Sequence, residues 1–127
     1  MAEGFQYALL RAVPSIERGE ALNVGVVVHC RRAGFLGVRT AVDPERLRLL
    51  DPRVDVAAVD AHLGVIERVA AGQEPDSPIA AMDRSDRFGW IVAPSSTSVQ
   101  PSPVHTGLTD DPAATLDKLF TELVLVA

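Results

Sequence analysis

The sequence predicts an α+β domain: an antiparallel sheet of three to five strands with two main helices packed on one face. Three observations lead there. Strand-like alternation fills the N-terminal third, and helix-like spacing follows it in a block instead of interleaving with it. Helix-capping pairs, Asp before Pro, recur at Asp43-Pro44 and Asp111-Pro112. The 127 residues make one domain, residues 1–127, with room for one sheet and its helices.

Phe5 to Val13 reads as the first strand and stops at Pro14. Leu22 to Cys30 reads as the second. There Leu22, Val24, Val26, Val28 and Cys30 point one way, and Asn23, Gly25, Val27 and His29 the other. Phe35 to Val42 reads as the third, with Leu36, Val38, Thr40 and Val42 on its more apolar face. Matching the apolar faces puts Asn23, His29 and Arg39 together on one sheet face. It also implies a connecting loop of three or five residues, with Gly34 in a left-handed conformation.

Asp43 caps a short helix, Glu45 to Leu50, and Asp51-Pro52 ends it. Asp55 caps a longer one, Val56 to about Ala71, whose stripe is Val56, Val59, Leu63, Ile66 and Ala70. Gly72 suits its C-terminal cap. The piece Ile79 to Arg87 is ambiguous. Phe88 to Ala93 reads as a strand with Phe88, Trp90 and Val92 on one face. Pro94 to Gly107, rich in Ser and Pro, reads as a loop in which Val99-Gln100 is extended. The last helix aligns Leu116, Leu119, Phe120, Leu123 and Val124. The apolar tail Leu123 to Ala127 either docks on the sheet or forms a subunit interface, which would make a homo-oligomer.

Composition removes several classes of function. Apolar residues are 47% and charged residues 23%, a balance that argues against a disordered chain. The net charge is −5, and the acidic excess falls in residues 71–127, where Arg84, Arg87 and Lys118 face eight acids. An acidic chain is a poor binder of nucleic acid, and this weighs against a nucleic-acid site at Arg31, Arg32, Arg46 and Arg48. No apolar run approaches the roughly 20 residues of a membrane helix, and the N-terminus has no signal-peptide pattern. Cys30 is the single cysteine, so no intrachain disulfide or cysteine-built zinc site is expected, and a cytoplasmic location is.

Common phosphate-loop, dinucleotide, metalloprotease and nucleophile-elbow motifs are absent. No cofactor and no metal is implied. His29 and Cys30 are neighbours on a strand, so they face opposite sides and form no dyad. Cys30 reads as a small core residue. His62 lies off its helix's apolar stripe, and His29, His62 and His105 lack metal-ligand spacing.

Two blocks of polar residues are the candidate binding sites. Arg18-Gly19-Glu20 with Asn23, Arg39 and Arg11 reads either as a turn with a surface ion pair or as a polar cluster. As a cluster, it would have the guanidiniums hold a carboxylate or phosphate. Gln100, Ser102 and His105 lie in the Ser/Pro stretch, where a hydroxyl beside a histidine permits general-base chemistry and the serines equally suit phosphorylation.

Tyr7-Ala8-Leu9-Leu10-Arg11, Arg18-Gly19-Glu20-Ala21-Leu22-Asn23-Val24-Gly25-Val26, Phe88 to Trp90, and Val99-Gln100-Pro101-Ser102-Pro103-Val104-His105-Thr106-Gly107 together resemble the bacterial DUF3037 family. The resemblance implies one bacterial, cytosolic domain and no mechanism. It also implies an association with genes for kinases related to the HipA toxin. The two blocks suggest one shared site, with the 94–107 loop folded over Arg18, Glu20 and Asn23. The expected function is a non-enzymatic binding or accessory domain for a protein partner, a HipA-like kinase among the candidates. The alternative is a small hydrolase or transferase for an anionic substrate, with Arg18 and Arg39 binding charge and His105 as acid or base.

Overall fold

The computed structural model describes residues 2–125. Three N-terminal strands, β1 (Glu3–Ala12), β2 (Leu22–Cys30) and β3 (Phe35–Thr40), follow one another as antiparallel neighbours. Helices α1 (Pro44–Leu50), α2 (Val56–Ala70) and α3 (Arg84–Ile91) come next. Two short strands, β4 (Val99–Pro101) and β5 (His105–Thr109), precede helix α4 (Pro112–Leu123). The sheet order is β3-β2-β1-β4, and β5 also pairs with β1. β5 bonds the first half of β1 and β4 the second, so the two share one column at that edge. The α+β class and the antiparallel sheet, here of five strands, stand as the sequence predicts.

The helices divide between the faces. Ala8, Leu10 and Ala12 of β1 join Leu47 of α1, Val59, Leu63, Ile66, Val69 and Ala70 of α2, and Phe88 and Ile91 of α3 in one core. Phe5, Val26, Val28 and Cys30 join Leu116, Phe120 and Val124 in a second core under α4. The expected pair of helices on one face is therefore corrected: α4 covers the face opposite α2. A sheet covered on both sides needs apolar residues on both, which is why β2 is buried from Val24 to Cys30.

A bulge changes the expected alternation. Leu10 pairs with Gly25 and Arg11 with Asn23, leaving Val24 as an extra residue on β2. Val24 therefore faces the α2 side with Val27, while Val26, Val28 and Cys30 face α4. The β2–β3 loop is Arg31 to Gly34, four residues closed by the Cys30–Phe35 pair, not three or five. Gly34 has φ 61°, as expected. The register pairs Val27 with Val38 and His29 with Leu36. His29 thus lies on the α2–α3 face, apart from Arg39, which meets α4. The expected grouping of Asn23, His29 and Arg39 is corrected accordingly.

The caps behave as their chemistry dictates. Asp43, Asp55 and Asp111 each accept backbone N–H groups at the starts of α1, α2 and α4. Gly72, at φ 71°, closes α2 through Gln73 N–H to Arg68 O at 2.8 Å. The expected strand at Phe88–Ala93 is instead α3. Asp83 caps it by accepting the Asp86 N–H, and Phe88 and Ile91, three apart, are buried while Trp90 is 39% exposed. Helical spacing wins because α3 lies on the sheet and satisfies its own backbone. Arg87 ties it to α2 by donating to Ala70 O at 3.3 Å, and donates to Met82 O of the preceding turn at 2.5 Å. Of the apolar tail, Val124 is buried and Leu125 is half-exposed; residues 126 and 127 lie outside the described residues.

Gly37 sets how closely α4 approaches β3. A Cβ there would lie 2.7 Å from Phe35 Cζ and 2.8 Å from Leu116 Cδ2. Gly37→Ala should destabilise the protein by about 1–3 kcal/mol through overpacking, measured as a lowered urea midpoint with unchanged slope.

Candidate functional site

The polar residues singled out in the sequence fall at separate places. Arg18 and Glu20 form an exposed ion pair in the β1–β2 connection. Asn23 donates from Nδ2 to Leu123 O at 3.1 Å and so holds the end of α4. Arg39 donates from Nη1 to Asp117 Oδ1 at 2.7 Å and lies 4.5 Å above the Phe120 ring, fastening α4 to β3. Gln100 donates to Thr97 O at 3.0 Å. Each of these contacts is a local or tertiary fastening.

Ser102 stands where one extra residue interrupts the edge column. Between the Leu10–Pro101 and Tyr7–His105 pairs, three residues of the edge column, Ser102 to Val104, face two of β1. Pro101 and Pro103 have no N–H to give, so they suit an edge column. Ser102 bridges the break: its N–H donates to Leu9 O at 2.8 Å, and its Oγ accepts the Leu9 N–H at 2.8 Å. The Oγ donates onward to Pro103 O at 2.9 Å, and the residue is only 3% exposed. Its hydroxyl is committed to the backbone.

The expected shared site does not assemble. Asn23 is opposite Arg11, and His105 is opposite Tyr7 on the other edge of β1. Four residues along a strand and two strand spacings separate them, about 13 Å along and about 10 Å across. No hydrogen bond spans that, even through one water. His105 is exposed, with its ring 5.1 Å from that of Tyr7. Gln100 does share a row with Arg11 and Asn23, yet both amides are bound elsewhere.

What the fold does assemble lies on the α2–α3 face. A groove of about 290 Å³ runs between α2, α3 and β4. Leu10, Ile66, Ile91 and Val99 form its apolar floor, and Trp90, His62, Pro94 and Pro101 stand around it, with Ser95 and Thr97 supplying hydroxyls. At the other end of α3, His29 is 6% exposed and stacks on Phe88 with ring centroids 4.9 Å apart. Its Nδ1 is buried without a hydrogen-bond partner among the described residues. Burial, and then the nearby Arg31 guanidinium, lower its pKa below the ordinary 6.5, with Asp83 opposing them. Cys30 is buried in the α4-side core, its Sγ 3.5 Å from Gly4 O. Among the described residues, no group of three or more His, Cys, Asp or Glu side chains is placed to hold a metal ion, and no helix is long and apolar enough to cross a membrane.

Sequence reasoning missed the groove because it depends on α3 being a helix. Only that geometry turns Trp90 outward beside His62. The spacing of Phe88 and Ile91 behind an Asp83 cap was the available signal.

The family model described as a protein of unknown function, DUF3037, matches residues 7–124. The chain belongs to the DUF3037 family. The match runs from within β1 to just past α4. No curated protein and no solved structure matches this DUF3037 chain.

Two outcomes follow for the DUF3037 fold. Ser102→Ala leaves the part-buried Leu9 N–H without that acceptor and should cost about 1 kcal/mol, read by chemical denaturation. For His29, the unfolded chain binds more protons than the folded one between the lowered folded pKa and 6.5. Stability should therefore fall as pH drops through that window. His29→Phe, which keeps the stacking on Phe88, should flatten this dependence in denaturation curves recorded at pH 7.5 and 5.5, values chosen as about one unit either side of the ordinary pKa.

Proposed function

We propose that the protein is a non-enzymatic binding module that receives a segment of a protein partner in the groove beneath Trp90. The observation that carries this reading is the groove itself: an apolar floor, open to solvent, with a half-exposed tryptophan at its side. Tryptophan is the residue type that most often anchors protein interfaces, and an apolar pocket beside it gives a partner side chain a desolvated seat. At about 290 Å³ the groove is at the small end of ligand pockets. That volume suits one or two apolar side chains of a peptide. Ser95 and Thr97, whose hydroxyls donate to Val99 O, can accept from the partner's backbone N–H groups where it leaves the floor, and His62 stands beside them.

The polar residues of the Ser/Pro stretch support this reading indirectly. Ser102 and Gln100 hold the edge column in place, and that column forms one side of the groove through Val99 and Pro101. A bacterial cytoplasmic setting, and a kinase related to the HipA toxin as the first partner to test, remain part of this proposal on the strength of the family resemblance.

Tagged protein from its native host, analysed by quantitative mass spectrometry, should retain a stoichiometric partner. Trp90→Ala should reduce that recovery by about tenfold or more, the scale of an interface hot spot, while melting like the parent. Full retention by Trp90→Ala, or capture of no specific protein, would overturn the reading.

A further inference from the structure

A second cleft, of about 220 Å³, lies at the N-terminus of α3 against the β2–β3 turn. His29, Arg31, Gly34, Asp83, Arg84 and Ser85 line it. Arg31 and Arg84 are exposed, and neither guanidinium has a hydrogen bond or ion pair among the described residues. The turn brings them to one place. Gly34 N–H closes on Arg31 O at 3.1 Å, and a Cβ on Gly34 would sit 3.8 Å from Arg84 Nη1.

The helix end adds donors. Asp83 is occupied as the cap, accepting the Asp86 N–H at 2.8 Å. The N–H groups of Arg84 and Ser85, in the first turn, have no intrahelical acceptor. A buried polar side chain borders the same space. His29, more than nine-tenths buried, borders the cleft, and its Nδ1, itself out of solvent contact, has no partner among the described residues. Two unpaired arginines, the first turn of α3 and His29 thus border one small volume, with Asp83 as the opposing charge.

We propose that this cleft binds the phosphate group of a small phosphate monoester. Guanidiniums match phosphate oxygens in paired hydrogen bonds, and a helix N-terminus favours the same charge. A neighbouring cleft of about 250 Å³ shares His29 and Arg31 and continues over Gln6 and Thr106. It receives the uncharged body of the ligand, with Gln6 and Thr106 as hydrogen-bonding groups. The site is distinct from the groove beneath Trp90 and does not rest on that groove's function.

The test is a titration of inorganic phosphate into the full ¹⁵N-labelled chain at fixed ionic strength, with chloride as the control. Saturable shifts of the Arg84 and Ser85 amides are expected, together with a rise in the His29 pKa as the anion offsets Arg31. Arg31→Ser with Arg84→Ser should weaken phosphate binding by about tenfold or more. Both side chains are exposed and unbonded, so the fold should persist, and unchanged resonances in α4 would verify it. Each single variant should show an intermediate loss. Shifts that grow linearly, that chloride reproduces, or that survive the double substitution would overturn the proposal.

Discussion

Burial of one antiparallel sheet on both faces is the constraint on which the other parts depend. β2 carries apolar side chains on each side, and the bulge at Val24 lets it do so over its length. Without the extra residue, Val24 would turn toward α4 and leave a gap in the α2-side core. The bulge also sets Asn23 toward the end of α4, where its amide takes a carbonyl left free by the helix. One irregularity in β2 therefore coordinates two cores and one helix end.

β1 transmits that constraint to the face that carries the groove. It is bonded to β2 along one edge and to β4 and β5 along the other. Ser102 keeps the second edge continuous where proline cannot. Because β4 is held there, Val99 and Pro101 stand opposite Ile66 and Trp90, and the groove exists. Four of the residues that looked chemically active in the sequence, Ser102, Asn23, Gln100 and Arg39, are tied to the scaffold instead. A hydroxyl, two amides and a guanidinium, which in isolation could serve catalysis, are each bonded to fixed partners.

α3 separates two environments. Its C-terminal half, with Trp90 and Ile91, borders the apolar groove. Its N-terminal turn, with Arg84 and Ser85, borders the polar cleft beside His29. Between them Phe88 is buried against His29 and Arg87 bonds back to α2, so the helix is fixed on the sheet. One rigid helix thus carries different chemistry at its two ends.

The sequence by itself determined the local elements. Asp43, Asp55 and Asp111 marked three helix starts because a capping carboxylate acts within its own turn. Gly34 marked the β2–β3 turn because only a local backbone conformation is at stake. The valines of β2 marked a buried strand for the same kind of reason. Tertiary structure decided the rest. Whether Phe88 begins a strand or sits inside a helix depended on the sheet surface beneath it. Which face Val24 joins depended on β1's register, and Arg39 found Asp117 and Phe120 only when α4 crossed the sheet. Caps and turns act over a few residues, so sequence carries them. Faces, grooves and clefts join residues far apart in the chain, and only packing brings those together.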